Sequence, residues 1–567
     1  MTTGAEVTAR TLKSLGVEVI FGIVGIPVLA EACIAAGIQF IGFRNEQSAS
    51  YAACCYGYLS GKPGVCLTVG GPGVVHGLAG VANAQVNHWP MLHIAGSCDT
   101  DQVGMGAFQE LDQVEVTRPY TKYSGRPIAI KQIPFFLETA YKTAFYGRPG
   151  PTYIDIPGDL IQGQFSGNVP IPKALPPPPA VLADPNAIHA ALQLLQNAEK
   201  PLVIVGKGAS YACADEEILE FVQASNIPFL PTPMGKGLIP DAHELCVAAA
   251  RSKALKEADV ILLIGARLNW ILHFGGAPRV NAKAKIIQID IAAEEIHRNA
   301  RVDVALVGHI PNVLHQLNTS TQPSLPKLNA STSSWLKELT QKVKENQEKT
   351  EKQCYPQESA QDAASKALNY HTAFGVIKRA LPMNTDQVVI VSEGANTMDI
   401  ARSVFDVAAG RLRVDAGTFA TMGVGMGFAI AAQIYYPSKR IVSITGDSAF
   451  GFSAMELETA ARAGLPLLII VINNNGIYHG LTDSDFSKAV KDNNLPSTAL
   501  LPDTRYDMIA EACGGRGWFA RNKPELEKAL KEAWAEKTKP CVINVAIVPG
   551  GRKKLEFAWQ NKSEAKL

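Results

Sequence analysis

Two groups of oxygen-bearing residues stand at the ends of β-rich runs in the last third of the chain. One run ends at Gly446-Asp447-Ser448, and the next ends in an asparagine cluster that includes Asn474, 27 residues after Asp447. Parallel strands end at one edge of a sheet, where loop amides and helix N-termini favour phosphate groups. The Asp447 carboxylate, the Asn474 amide oxygen and the Gly476 carbonyl suit Mg²⁺, and Gly446 permits close backbone approach. Either group alone is a common turn element, but together they predict a magnesium and phosphate site.

Parallel sheets are needed to hold these residues, and β-rich and helical stretches alternate along most of the chain. This alternation predicts an α/β protein with three consecutive doubly wound parallel-sheet domains. Prolines and polar stretches suggest the boundaries between them. We expect a first domain at 1–168, a proline-rich linker at 169–182, a middle domain at 183–320, a polar connector with little apolar surface at 321–368, a third domain at 369–548 and a tail at 549–567.

The composition is that of an ordinary globular protein, with 47% hydrophobic and 19% charged residues. The 53 basic and 52 acidic side chains nearly cancel, which argues against nucleic-acid binding. The apolar runs are far shorter than the roughly 20 residues that span a bilayer. The N-terminus lacks the features of a signal peptide, and the ten cysteines include no C-x-x-C pair, so we expect buried reduced thiols and no export.

Glu46 is the candidate acid near the start of the chain. It follows the β-rich run at 38–43 and precedes a helical stretch, within GFRNEQSASYAACCYGY. Taken alone, a glutamate there is explained by the favourable helix dipole. Met422, in the glycine-rich segment GTFATMGVGMG, has a similarly ordinary explanation as a gap-filling core side chain.

The segment GDSAFGFSAMELETAARAGLPLLIIVINNNG resembles the signature of the thiamine-diphosphate-dependent enzymes. The resemblance implies that the first domain binds the pyrimidine ring of the cofactor and the third binds its diphosphate, with the middle domain between them in sequence. It implies Mg²⁺ held by Asp447, Asn474 and the Gly476 carbonyl, with Ser448 and Ala449 near the diphosphate. The cofactor also needs a carboxyl group against its pyrimidine ring and a bulky apolar support for its bent shape. The resemblance assigns these roles to Glu46 and Met422.

Within this superfamily the chain is most similar to 2-hydroxyacyl-CoA lyase and oxalyl-CoA decarboxylase. The resemblance therefore implies cleavage of a 2-hydroxyacyl-CoA to formyl-CoA and an aldehyde, with decarboxylation of oxalyl-CoA as the alternative. Phe108 stands where decarboxylases carry a tyrosine, which favours the lyase, although core packing also explains a phenylalanine. The segments that carry the resemblance include FRNEQSASYAA, GPGVVHGLAGVANA, MGAFQELDQVE, GARLNW, LNYHTAFG, EGANTMDIAR and NNNGIYHG.

Several substrate and nucleotide contacts follow from the same resemblance. Tyr478 would donate a hydrogen bond to developing negative charge, unless it is a core or interface tyrosine. Arg402 and the tail residues Arg552, Lys553 and Lys554 are candidates for the CoA phosphates, although a solvated basic tail explains the latter equally well. The middle-domain segments GKGASY, GARLNW and QIDI resemble the ADP-binding segments of the decarboxylase, which implies contacts to ADP from Arg148, Arg267 and Asp290, and we predict no flavin.

Other readings stay open at this stage. An acetolactate-synthase-like condensing enzyme and a catalytically silent paralogue with a binding or scaffold role are the competing hypotheses. The family builds each cofactor site from two subunits, which implies a homodimer or homotetramer. The final tripeptide Ala565-Lys566-Leu567 differs by one small residue from S-K-L, which predicts recognition by the peroxisomal import receptor. A chance C-terminus and a cytoplasmic location are the alternatives.

Overall fold

Three parallel β-sheets, one in each third of the chain, form the framework of the protein. The structure is a computed structural model and describes residues 1–24 and 27–549, apart from the side chains of residues 27 and 360. Helices follow most strands, and hydrophobic clusters lie on both faces of each sheet. The predicted architecture of three consecutive doubly wound α/β domains is confirmed.

The first domain is built from the elements between Thr2 and Phe165. Its strands are β1 Thr2–Thr3, β2 Val19–Gly22, β3 Gln39–Gly42, β4 Gly64–Thr68, β5 Met91–Ser97, β6 Tyr123–Gly125, β7 Pro151–Pro157 and β8 Gln164–Phe165. Its helices are α1 Gly4–Ser14, α2 Pro27–Ala35, α3 Glu46–Ser60, α4 Pro72–Asn87, α5 Gln113–Thr117, α6 Ile133–Phe145 and α7 Gly158–Gln162. The main sheet has the parallel order β3-β2-β4-β5-β7-β6, and β1 pairs with β8 beside it.

The middle domain has a smaller sheet. Its strands are β9 Pro201–Val205, β10 Phe229–Pro231, β11 Val260–Ile264, β12 Lys285–Asp290 and β13 Val304–Val307. Its helices are α8 Pro185–Gln196, α9 Lys207–Tyr211, α10 Asp215–Ser225, α11 Arg251–Glu257 and α12 Ile310–Thr319. The parallel order is β10-β9-β11-β12-β13.

Short 3₁₀ helices occur in both of these domains. They lie at Thr100–Gln102, Arg118–Tyr120, Ile130–Gln132, Ala248–Ala250, Trp270–Gly275 and Ala293–Glu295.

The connector differs in one respect from its expected character. Its helices are α13 Ser334–Cys354 and α14 Ala360–Ser365. The first turns of α13 bury Trp335, Leu336 and Leu339, and the Trp335 indole donates a hydrogen bond to the Pro201 carbonyl at 3.0 Å. A few large apolar side chains on one face thus dock the start of the helix on the middle domain, although most of its later residues are polar. Within the described residues, no helix is long and apolar enough to cross a bilayer.

The third domain carries the motif with Asp447 and Asn474. Its strands are β14 Val388–Glu393, β15 Arg413–Asp415, β16 Arg440–Gly446, β17 Leu468–Asn473, β18 Arg516–Ala520 and β19 Cys541–Ala546. Its helices are α15 Tyr370–Ala380, α16 Ala395–Val404, α17 Gly425–Tyr435, α18 Asp447–Gly451, α19 Glu456–Arg462, α20 Asp483–Lys491, α21 Tyr506–Ala512 and α22 Lys523–Ala535. The parallel order is β15-β14-β16-β17-β19-β18.

The first and third domains share one hydrophobic cluster. Alternate residues of a strand face opposite sides of its sheet, and this cluster takes Phe21 of β2 and Val471 of β17. Helices α3 and α17 pack against each other between the two sheets. Gly427 of α17 allows this close approach, because a Cβ there would lie 2.6 Å from the Ser48 carbonyl oxygen. The two domains are therefore fixed by a common core.

Arg411 joins all three domains. Its Nε donates a hydrogen bond to the Ser210 carbonyl at 2.9 Å, its Nη1 donates to the Leu59 carbonyl at 2.6 Å, and its Nη2 donates to the Tyr211 carbonyl. The guanidinium also lies over the rings of Tyr58 and Tyr211, at 5.9 and 5.8 Å from their centroids. These contacts connect β15 with α3 and α9.

Candidate active site

Asp447 lies at the carboxyl edge of the third sheet, where β16 passes into α18. Its side chain is 2% exposed. One carboxylate oxygen accepts a hydrogen bond from the Ser448 N–H at 2.8 Å, and the other accepts one from the Gly476 N–H at 3.1 Å. Burial raises the pKa of Asp447 to about 6, and backbone N–H groups oppose this rise. The carboxylate is therefore a preoriented, mostly ionised oxygen ligand at neutral pH.

The loop after β17 brings Asn474 and Gly476 to the same edge. β17 pairs with β16 so that Ile472 lies beside Gly446, which places both strand ends together. The Asn474 side chain is 2% exposed, and its Nδ2 donates to the Tyr478 carbonyl at 2.8 Å. Gly476 has no room for a side chain, because a Cβ there would lie 2.7 Å from both the Gly480 Cα and the Thr498 carbonyl oxygen.

The oxygen atoms available at this edge of the sheet suit a hard divalent cation. They comprise one buried carboxylate, one carboxamide and a loop that carries backbone carbonyls, the oxygen set that Mg²⁺ takes in proteins. No group of three or more histidine, cysteine, aspartate or glutamate side chains that could hold a metal occurs among the described residues. Asp447, Asn474 and Gly476 would hold Mg²⁺, with the remaining positions left for phosphate oxygens.

Three further predicted cofactor contacts border Asp447. Gly446 precedes α18 with ordinary extended backbone, and a Cβ there would stand 3.4 Å from the Thr397 hydroxyl. Ser448 and Ala449 form the first turn of α18, and Ala449 is buried. The small side chains at these three positions therefore leave room for a ligand to approach the backbone of this turn.

Glu46 is the first residue of α3, after the N-cap Asn45. Its side chain is 14% exposed and lies 3.2 Å from the Nδ1 of His76, on α4. No hydrogen bond or ion pair joins Glu46 to Asp447 or Asn474 among the described residues of the single chain. The structure thus brings the metal residues together and leaves Glu46 in a second cluster.

The loop at 418–424, which carries Met422, lies between these two clusters. The Thr421 hydroxyl is 3.4 Å from the Tyr51 hydroxyl on α3. A Cβ on Gly423 would stand 3.3 Å from Phe452 and 3.5 Å from Gln47, the neighbour of Glu46. The two neighbours of Met422 therefore lie between the helix that begins at Glu46 and the turn that follows α18.

Glu393 holds the same loop from the other side and was missed by sequence reasoning. Its fully buried carboxylate accepts hydrogen bonds from the N–H groups of Gly423, Val424 and Gly425, with the latter two at 2.9 and 3.0 Å, and from the Thr445 hydroxyl at 3.3 Å. Burial raises the pKa of Glu393 to about 7, against the effect of these donors. The available signal was an acid at the end of an apolar strand, in VVIVSEG.

The predicted substrate residues have different surroundings. Phe108 is 86% exposed, so the core-packing explanation for it is wrong. It lies on a loop whose Gly106 and Ala107 N–H groups donate to the Glu110 carboxylate at 2.8 and 2.9 Å. Tyr478 is 39% exposed, has a φ of 66° and lines a cavity of about 450 Å³ together with Tyr370. Tyr478 is therefore not a core residue.

Arg402 lines a larger cavity of about 880 Å³ between the middle and third domains. Its Nη1 pairs with Asp399 at 2.7 Å and its Nη2 with Asp415 at 3.4 Å. Arg251 in the same cavity is held by the Ile271 carbonyl and by the His273 ring at 3.3 Å, and its pKa is lowered by burial and by nearby cations. The other cationic residues that line this cavity are Lys236, Arg279 and Lys349.

Arg148, Arg267 and Asp290 do come together, around a third cavity of about 370 Å³. Arg148 pairs with Glu295 at 2.8 Å, and Arg267 contacts the His88 ring at 2.9 Å. Burial raises the pKa of Asp290. Burial and the neighbouring cations lower the pKa of His88 to about 2, so its ring is a neutral acceptor between the two arginines. Arg552, Lys553 and Lys554 lie outside the described residues, as does 565–567.

Family models match all three domains. The N-terminal thiamine pyrophosphate (TPP) binding domain matches residues 2–116, the thiamine pyrophosphate enzyme central domain matches 188–317, and the C-terminal TPP binding domain matches 393–545. The chain belongs to the thiamine pyrophosphate enzyme family. As an enzyme of this family it uses thiamine pyrophosphate, which is thiamine diphosphate, together with Mg²⁺.

Two kinds of enzyme within this family are similar to the chain over nearly its whole length. 2-Hydroxyacyl-CoA lyase 1 of Homo sapiens is 47% identical, and that of Mus musculus is 46% identical, each over 99% of this chain and 97% of the relative. Oxalyl-CoA decarboxylase of Escherichia coli K12 is 40% identical over 97% of this chain and 95% of the relative. These are the two kinds of enzyme that the sequence motifs resembled.

The raised pKa of Glu393 predicts how pH affects folding. A carboxyl group whose pKa rises from 4.5 to about 7 binds its proton more tightly in the folded state. Its contribution to stability is complete below the unfolded pKa and is lost as pH rises through 7. The free energy of unfolding of wild type, relative to Glu393→Gln, should therefore fall by about 3 kcal/mol between pH 4.5 and 8.

Urea unfolding of the cofactor-free proteins across this pH range measures the difference. Thr445→Val provides a second comparison, because losing the hydroxyl donor should move the transition to higher pH. A difference between wild type and Glu393→Gln that does not vary with pH would contradict the assignment.

Proposed function

We propose that this enzyme cleaves 2-hydroxyacyl-CoA thioesters to formyl-CoA and an aldehyde. The observation that carries the proposal is a pair of adjoining cavities. The 450 Å³ cavity, which Tyr370 and Tyr478 line, and the 880 Å³ cavity, which Arg402 lines, share the residues Gln353 and His371 in their walls. A substrate that is reactive at one end and multiply phosphorylated at the other fits this arrangement, and CoA thioesters have that form.

The cationic end suits the phosphates of CoA. Arg251 and Arg279 have no ion pair with an acid among the described residues, whereas Lys236 and Arg402 pair with Asp241 and Asp399. Cations without acidic partners are available to phosphate oxygens, and guanidinium groups bind such oxygens in pairs. The curated relatives named for CoA substrates, at 40% to 47% identity over nearly the whole chain, support the same substrate class.

The roles of the chain's own residues follow from their positions. Asp447, Asn474 and Gly476 would hold the cation that binds the diphosphate, while Ser448 and Ala449 face it. Glu46 would exchange a proton with the pyrimidine, and Met422 would support the bent cofactor. Bound thiamine diphosphate supplies a carbon nucleophile for the thioester carbonyl and stores the electron pair released when the bond breaks. Tyr478 would donate a hydrogen bond to the substrate oxygen that develops negative charge. Phe108 stands where the decarboxylases carry a tyrosine, so the enzyme would lack the hydroxyl that could bind the carboxylate of oxalyl-CoA.

Oxalyl-CoA decarboxylation is the second candidate, because a relative with that name is also similar along its whole length. Binding of ADP at Arg148, Arg267 and Asp290 is part of the proposal, supported by their shared cavity. Peroxisomal import stays a prediction from 565–567, and a fluorescent fusion that retains this terminus tests it.

Product analysis distinguishes the candidate reactions. Purified enzyme with thiamine diphosphate and Mg²⁺ receives a 2-hydroxyacyl-CoA in one assay and oxalyl-CoA in another. We expect equal amounts of aldehyde and formyl-CoA from the first assay and little carbon dioxide from the second. Carbon dioxide without aldehyde would establish the decarboxylase instead, and no product from either substrate would support the silent paralogue.

Arg279→Ala tests the cationic end of the cavity. Arg279 is exposed, so its loss should not affect folding. We expect KM for the acyl-CoA to rise about tenfold with kcat nearly unchanged, because the arginine contacts the substrate far from the reacting carbon. Arg301→Ala, which removes an exposed arginine outside this cavity, is the matched control. A normal KM in Arg279→Ala would contradict this placement of CoA.

A complete site requires a second subunit in this proposal. Exposed apolar side chains stand beside the cofactor residues of both domains: Val75 next to His76, Phe419 in the Met422 loop, and Phe452 and Met455 after α18. Monomeric proteins seldom expose such groups together, whereas interfaces bury them. A homodimer would bring Glu46 of one subunit to Asp447 of the other.

Mixing two inactive variants tests this arrangement. Glu46→Gln and Asp447→Ala should each lose at least 99% of activity when pure. In a mixed dimer, one site regains both intact side chains, so differently tagged and co-expressed subunits should recover activity after tandem purification. A mixed dimer that forms but stays inactive would show that both residues must come from one chain.

A further inference from the structure

The carboxamide of Asn474 uses both of its N–H groups on the protein. Its Nδ2 donates to the Tyr370 hydroxyl at 3.2 Å and to the Tyr478 carbonyl at 2.8 Å. A carboxamide has donors only on its nitrogen and acceptors only on its oxygen. With the nitrogen bonded to these two partners, Oδ1 points away from them, on the other side of the Cβ–Cγ bond. The backbone carbonyl, which can only accept, therefore determines which side of the amide carries the nitrogen, and the tyrosine hydroxyl holds the amide in that orientation.

Tyr370 is held firmly enough for this role. It is the first residue of α15, after the N-cap Asn369, which forms a reciprocal capping box with Thr372. The segment before it pairs with the end of the third sheet, since the Val548 N–H donates to the Leu368 carbonyl at 2.7 Å. The Tyr370 ring packs edge-on against Phe374, with 6.2 Å between the centroids. The hydroxyl consequently has a fixed position relative to β19 and the Asn474 loop.

The second amide partner is fixed as well. Tyr478 has a φ of 66°, and its carbonyl accepts a further hydrogen bond from the Asn396 Nδ2 at 2.8 Å. A carbonyl cannot donate, so it accepts only the nitrogen side of Asn474. If the amide rotated by half a turn, its oxygen would face this carbonyl and its N–H groups would take the place of Oδ1. That orientation would remove an oxygen ligand and place donor hydrogens beside a cation.

We propose that Tyr370 is a positioning residue for the divalent cation, because its hydroxyl fixes the Asn474 carboxamide with the oxygen turned toward the metal. The inference rests on the proposed function, in which Asn474 is a metal ligand. Tyr370 itself does not bind the cation. It acts through Asn474, in the way that hydrogen-bond partners behind metal ligands hold those ligands in place.

Tyr370→Phe tests the proposal, because it removes the hydroxyl and keeps the ring. We expect binding of Mn²⁺, used as a spectroscopic probe for Mg²⁺, to weaken about tenfold in the presence of saturating thiamine diphosphate. Free Mn²⁺ measured by electron paramagnetic resonance gives the affinity without reference to turnover. The unfolding temperature of the cofactor-free variant should match wild type, because the ring packing is retained. Unchanged Mn²⁺ affinity would overturn the inference.

Tyr506→Phe is the matched control. Tyr506 also lies near Asp447, but its hydroxyl bonds Thr504 and its ring packs against Phe450 at 5.8 Å. Loss of this hydroxyl should leave Mn²⁺ affinity at the wild-type value. If Tyr506→Phe weakened binding as much as Tyr370→Phe, a general effect of lost hydroxyls near the site would replace the specific role of Tyr370.

A double-mutant cycle separates positioning from a purely structural effect. In an Asn474→Ala background there is no carboxamide to orient, so adding Tyr370→Phe should not weaken Mn²⁺ binding further. An additional tenfold loss in that background would overturn the inference. Failure of the proposed function gives a different result, since wild type would then show no Mn²⁺ binding that depends on thiamine diphosphate.

Discussion

The packing of α3 against α17 is the constraint that fixes the first domain against the third within one subunit, and with them the two half-sites that each subunit would contribute. α3 begins at Glu46, and α17 begins directly after the loop that carries Met422. The two helices share one apolar cluster with a face of the first sheet and a face of the third. Their separation is set by small residues, since Gly427 leaves no space for a Cβ against Ser48. One core thus fixes residues that lie almost 400 positions apart in the chain.

Two buried carboxylates have opposite uses in the third domain. Glu393 is enclosed by three consecutive backbone N–H groups and a hydroxyl, so its hydrogen-bonding capacity is spent inside the protein. Among the described residues, Asp447 accepts hydrogen bonds from backbone N–H groups of its own turn and of the Asn474 loop. Burial raises both pKa values, and in the proposed function a cation would compensate Asp447 for its lost hydration. Glu393 therefore holds the loop that carries Met422, whereas Asp447 is left to bind the cation in the proposed function.

The sequence supported the framework and the metal residues for identifiable reasons. Strands buried on both faces give continuous apolar runs, and β16 and β17 ended where the motif with Asp447 and Asn474 required. Glu393 and Tyr370 could not be found in this way, because each acts through contacts between segments far apart in sequence. The docked start of α13 was obscured by the polar residues that follow it. The relation of Glu46 to Asp447 depends on a neighbouring subunit and remains a prediction.

Arg411 has a consequence for how this molecule can move. Its guanidinium donates hydrogen bonds to three carbonyls, one from α3 and two from α9, while its backbone leads into β15. Hinge rotation of any domain against the others would break several charge-assisted hydrogen bonds at once and expose a cation stacked on two tyrosine rings. The contacts of Arg411 therefore oppose rotation of the three domains against one another, and we expect rearrangement around a ligand to take place mainly in surface segments.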